Sequence, residues 1–213
     1  EGFVVAQQSH SNYAKTILSV PSTLNMDYVD TFAPGLDDSK FWWLMEPFID
    51  HSEVRTLLKS QGYQTVSFST NWSLTDMNSA DIHLAAFPVE LTDFEQYLLQ
   101  TTPLRLSQPF LQDSASVFTS ETQRRTILHT LGALDDFVSD PDPVFVFAHI
   151  LLPHPPFVLD AEGKPVQSAT DFSFKDAEDF EGSSEEYRKG YKGQVEFLNS
   201  RLQEILTTIL QQS

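Results

Sequence analysis

Apolar positions along the chain alternate between two patterns, and the switch between them outlines the fold. Residues 16–28, 52–60, 120–138 and 194–211 space their apolar side chains at helical intervals, with Val195, Leu198, Leu202, Ile205 and Ile209 on one stripe of the last segment. Residues 3–6, 63–69, 84–87 and 143–147 are short apolar or β-branched runs, too brief for helices and bounded by Gly, Pro, Asn or Asp. Pro21 is expected to interrupt the first helix early, and Gly62 to end the second. Thr92-Asp-Phe-Glu95 has the spacing of a capping box that opens a helix to about residue 100. Strands that alternate with helices call for βαβ units. The expected fold class is therefore α/β, a mostly parallel sheet flanked by helices, in a single domain over residues 1–213.

The run Val144-Phe-Val-Phe-Ala-His-Ile-Leu-Leu-Pro-His-Pro-Pro-Phe157 has no polar alternation until its end. It reads as a central parallel strand covered on both faces, delivering His149 at its exit and His154 in a loop stiffened by Pro153, Pro155 and Pro156. Ligands of open α/β sheets bind beyond the carboxyl ends of such strands. For either histidine, a hydrogen-bonded ring near the core is the plainer alternative. Residues 160–186 mix acids with phenylalanines and read as an acidic surface loop.

Composition narrows the chemistry. With 30 acidic against 13 basic residues the formal charge is −17, which disfavours nucleic acid and anionic membrane surfaces as partners. The chain has no cysteine, so disulfides, thiolate metal sites and a cysteine nucleophile are excluded. No window holds the roughly 20 apolar residues that span a bilayer. The chain opens at Glu1 and closes on a helix with no following strand, so it is expected to be an internal piece of a longer domain.

Residues 9–22, Ser-His-Ser-Asn-Tyr-Ala-Lys-Thr-Ile-Leu-Ser-Val-Pro-Ser, form a polar loop that feeds a helix and puts Thr16 in or near its first turn. Unpaired N–H groups and the helix dipole favour an anion there and stabilise a developing alkoxide. Locally, a Ser/Thr helix cap explains the same residues.

The segment Thr16-Ile-Leu-Ser-Val-Pro-Ser22 resembles the nucleophile segment of the alkaline phosphatase and sulfatase superfamily, especially its phosphoethanolamine transferases. The tract from His149 to Pro155 is similar to the His-x-x-x-x-His segment of those proteins, and the order of Ser11-Asn-Tyr13, Leu24-Asn-Met26, Pro153-His-Pro-Pro156 and Tyr191-x-x-Gln-x-x-Phe-Leu-Asn199 resembles bacterial membrane-anchored sulfatase-like hydrolases or transferases. The resemblance implies an alkaline-phosphatase-like fold, a threonine nucleophile at Thr16 that also ligates a metal, a catalytic His154, and substrate contacts from His149, Asn12 and Lys15. It implies a divalent cofactor (zinc, manganese, magnesium or calcium), a small-molecule or lipid-linked phosphate or sulfate ester as substrate, and action on the extracytoplasmic side of a bacterial membrane through spans not in this chain.

The departures count as well. No Asp precedes Thr16 and no Asp-His pair follows Gln211, so the other metal ligands are expected outside the chain, which by itself is expected to hold no metal. The x-Pro-x-Arg that follows a formylglycine precursor in sulfatases is missing, which favours phospho-group chemistry over sulfate esters. A non-catalytic domain that keeps the fold as a binding module is the alternative. A hydrolase using paired carboxylates among Asp135, Asp136, Asp140 and Asp142 is a further one, although acids at a helix end and a Pro-rich turn are more often solvated.

Overall fold

A computed structural model describes residues 6–36, 42–111, 119–137, 142–166 and 180–212. Three parallel strands, β1 (Gln64–Phe68), β2 (Ile82–Leu84) and β3 (Val144–Phe147), form a sheet in the order β2-β1-β3. The register pairs Val66 with Ile82 and with Val146, and Ser67 with His83 and with Phe147. The α/β class with a parallel sheet flanked by helices is thereby established. The expected strand at residues 3–6 lies, but for Ala6, outside the described residues.

Because successive side chains leave a strand on opposite faces, the register sorts the sheet into two sides. Thr65, Ser67, His83, Phe145 and Phe147 share one face; Val66, Phe68, Ile82, Leu84, Val144 and Val146 share the other. Against the first face lie α1 (Thr16–Leu24) and α3 (Pro47–Asp50), where Leu24, Ile49 and Met77 form a buried cluster with Val20, Phe145 and Phe147 against it. On the second face Phe68 meets the rings of His129 and Phe137 edge-on, bringing in α7 (Ser120–Ala133). Ile127 and Leu131 of α7 then pack with Leu152, Val158, Leu159 and, from α8 (Ser184–Gln212), Phe197 and Ile205. The result is helix, sheet, helix.

Several boundaries moved. α1 passes through Pro21 and stops at Leu24, because Asn25 turns its amide to the Pro21 and Phe48 carbonyls and Met26 takes a positive φ of 55°. A separate turn, α2 (Val29–Phe32), begins just after the expected end of that helix at residue 28. The Pro21 ring costs the helix one backbone bond and does not end it. α4 (Glu53–Ser60) is capped by Ser52, and Gly62 follows it at φ 86°. α7 ends five residues before the expected 138, in a turn. The second strand lies two residues earlier than expected. Asp81 sets its start, since its carboxylate accepts from the Thr65 N–H and hydroxyl at 2.9 and 2.7 Å.

Two larger expectations are corrected. The histidine-bearing strand is not the buried centre of the described sheet. β1 is central, with Thr65, Val66, Ser67 and Phe68 buried, while every residue of β3 is half-buried. Buried hydroxyls on β1 hid this from a hydropathy reading. The acidic loop at 160–186 is not one loop either: residues 184–186 are the first turn of α8, which begins ten residues before the expected start, and residues 157–166 fold into a turn in which Leu159 bridges Pro165. Residues 167–179 lie outside the described residues. The remaining α-helices are α5 (Asp93–Thr101) and α6 (Gln108–Leu111), joined by a 3-10 turn at Pro103–Ser107, and further 3-10 turns lie at Trp42–Met45 and Ser73–Thr75.

Candidate functional site

The carboxyl ends of the three strands release residues 69–76, 85–91 and 148–157, and the last of these segments carries His149 and His154. Thr16 is the first residue of α1 and is exposed. Lys15 precedes it as N-cap residue, and its side chain makes no cap bond. The helix start is held against the loop leaving β1: Ile17 is buried in a cluster with Val29, Ala33 and Met45, to which Leu74, from the 3-10 turn at Ser73–Thr75, is packed. Asn12 and Lys15 are exposed. Asn12 commits its amide N–H to Ser22 Oγ at 2.7 Å, and Ser22 passes its own proton to the Asp27 carbonyl. Ser11 Oγ lies 2.7 Å from Ser19 Oγ, and Tyr13 Oη accepts the Val29 N–H. This loop is tied to the body of α1 and α2.

His149 sits two residues beyond β3. Its Nδ1 is buried with no hydrogen-bond partner among the described residues, and burial pushes the ring's pKa down to about 4, so it is neutral at physiological pH. A buried ring nitrogen without a partner costs free energy and is uncommon. His154 bonds through Nδ1 to the Pro155 carbonyl, which in the neutral ring puts the proton on Nδ1 and the lone pair on Nε2. Its own carbonyl accepts from Gln194 Nε2 at 3.5 Å, while Gln194 Oε1 accepts the Val158 N–H at 3.0 Å. Gln194 is fully buried and ties the His154 loop to α8. Sequence reasoning singled out this glutamine only as part of a motif.

A second group of polar residues went unread in the sequence. Asp76 is buried, and its Oδ1 accepts from the Thr70 N–H at 2.8 Å and the Thr70 hydroxyl at 2.6 Å. Burial nonetheless dominates and raises its carboxyl to about 6. Beside it, His83 bonds to Ser67 Oγ at 2.8 Å and to Glu90 Oε2 at 3.2 Å. The Glu90 bond raises the His83 pKa against the opposing effect of burial. For Glu90, burial works upward, but the bonds from His83 and Ser69 together hold it below its ordinary value. Ser67, His83 and Glu90 have the membership of a catalytic triad without its function: Ser67 is fully buried and donates to the Met77 carbonyl at 2.7 Å. The cluster braces the ends of β1 and β2. Asn71, at φ 61°, reaches from this loop to Thr126 of α7. A run of hydroxyl residues at the end of a strand, Ser67-Phe-Ser-Thr70, was the one cue available in sequence.

Of the carboxylates considered as a pair, Asp135 and Asp136 lie in the turn after α7 and Asp142 just before β3; Asp140 falls outside the described residues. Among the described residues no group of three or more His, Asp or Glu could hold a metal ion. Thr16 alone does not make a donor set, so the residues described do not complete a divalent site by themselves. No helix among the described residues is long and apolar enough to cross a membrane. No family model matches the chain, no curated protein matches it, and no solved structure matches it.

Proposed function

We propose that the chain is part of an alkaline-phosphatase-like domain that transfers or hydrolyses a phospho group through Thr16, acting on a small-molecule or lipid-linked phosphate ester outside the cytoplasm. The observation that carries this reading is the position of Thr16: an exposed hydroxyl on the first turn of a nine-residue helix, with no side-chain cap, anchored through Ile17 and Leu74 to the loop at the carboxyl end of β1. First-turn N–H groups and the helix dipole stabilise both an approaching phosphate and the alkoxide that attacks it. The Thr16 oxygen bonds to phosphorus as the bond to the leaving oxygen breaks, the hydroxyl proton ending on that leaving oxygen, and the resulting phosphothreonine is then resolved by water or a second alcohol. His154 hydrogen-bonds the transferred group or the leaving oxygen, which requires a second proton on its ring at Nε2. His149 supports the loop as a neutral ring, and Lys15 contacts anionic oxygens. A sulfate ester is the lesser alternative substrate.

The test is made in the longer protein that contains this chain. Thr16→Ala is expected to abolish turnover of phosphate esters with the far-ultraviolet circular dichroism unchanged, and mass spectrometry of the wild type after quenching is expected to find phosphate on Thr16. Chelation silences the longer protein if the cofactor implied by the resemblance is real, while titration of this chain alone with zinc or manganese shows no tight site. Undiminished activity in Thr16→Ala overturns the nucleophile, and a longer protein with no esterase or transferase activity returns the domain to a binding module.

A further inference from the structure

From Gln96 to Leu111 the chain has no acidic residue and one cation, Arg105, although the whole carries 30 acids against 13 bases. The same stretch exposes several large apolar side chains. Phe110 and Leu106 are 84% and 74% exposed, and Tyr97, Leu98 and Leu104 are exposed with them. α5, the Pro103–Ser107 turn and α6 pack chiefly on one another, so these side chains stand on a small helical unit of its own. Gln96 is the unit's buried polar residue, its amide donated to the Leu91 carbonyl. A contiguous set of exposed aromatic and leucine side chains marks a contact surface.

We infer that this unit docks on a lipid bilayer surface, with Leu104, Leu106, Tyr97 and Phe110 entering the interface and Arg105 meeting a headgroup phosphate. This does not rest on the reading of Thr16. The charge pattern selects the occupant. Arg105 is exposed between two exposed leucines and makes no ion pair among the described residues. In a symmetric contact between two copies the patch meets itself, so both arginines would be covered with no carboxylate in the patch to pair them, which costs more than it gains. A bilayer supplies hydrocarbon for the rings and leucines and phosphate for the guanidinium. The remaining surface, strongly acidic, is repelled by anionic lipid, so zwitterionic membranes are the better target.

Flotation with phosphatidylcholine vesicles tests this directly. The chain is expected to float with them, and to float less well at low salt when phosphatidylglycerol is added. Phe110→Glu and Leu106→Glu are each expected to lower vesicle affinity roughly tenfold or more. Leu57→Glu, at an exposed leucine on α4, leaves it unchanged. Because all three positions are exposed, circular dichroism should match the wild type. The inference is overturned by failure to float, by Phe110→Glu binding as well as the wild type, or by sedimentation that shows a dimer which Phe110→Glu dissociates while vesicles capture nothing.

Discussion

Asp76 shows how much a single buried side chain contributes to the behaviour of the molecule. Its folded pKa, about 6, lies above its ordinary 3.8, so between those values the folded state holds more protons than the unfolded one. Stability from this group therefore rises as pH falls through that window, and above it the buried charge is a cost of up to roughly 3 kcal/mol. Asp76→Asn keeps the Oδ1 acceptor for Thr70 and removes the charge. The variant is expected to be the more stable protein above pH 6 in urea unfolding, with the advantage gone near pH 4; equal stability at neutral pH would mean the burial cost is not felt. His149 works the other way. Its folded pKa of about 4 lies below the ordinary 6.5, so its contribution falls as pH drops through that range, but it does so in wild type and variant alike and cancels from the comparison. Asp76 did not announce itself, since nothing around it in the sequence shows that Thr70 will turn back to it, whereas His149 stood out because a strand ends there.

At the scale of elements, the contact between α8 and the turn at residues 157–166 depends on a glycine. A Cβ at Gly190 would run into the Phe157 ring. Phe157 cannot yield cheaply, because it is buried and meets Phe180 and Tyr187 edge-on at 5.5 and 5.2 Å. Gly190→Ala gains ~1 kcal/mol of helix propensity, but crowding in a packed site costs about 1–3 kcal/mol. A lowered melting temperature is the expected outcome, and a raised one would show that the Phe157 cluster is loosely packed. The same contact explains why α8 was read ten residues short. Its first turns hold Gly190, Gly193 and several charges, a composition that looks like loop until Phe157 is seen to rest on it. The capping box at Thr92 was recognised correctly, since both of its bonds close within four residues: Glu95 N–H to Thr92 Oγ1, and Thr92 N–H to Glu95 Oε2.

For the whole molecule, the formal charge of −17 opposes compaction, so added sodium chloride is expected to raise the melting temperature through screening before any specific effect enters. A melting temperature insensitive to salt would mean that local pairs such as Lys59 with Asp81, 2.7 Å apart, already neutralise the field where it matters. Fold class, strand direction, the capping box and the place of His149 just past a strand all followed from local patterns, because period, cap chemistry and run length act within a few residues of chain. Which strand lies at the centre, which face carries Ser67 and His83, that Gln194 holds the His154 loop, and that Asp76 is buried depended on partners well separated in the chain, such as Met77 for Ser67, Val146 for Val66 and Phe145 for Val66's neighbour Thr65. Those pairings exist only once the sheet has closed its register, and burial, which sets every shifted pKa here, is a property of that closed packing and of no segment alone.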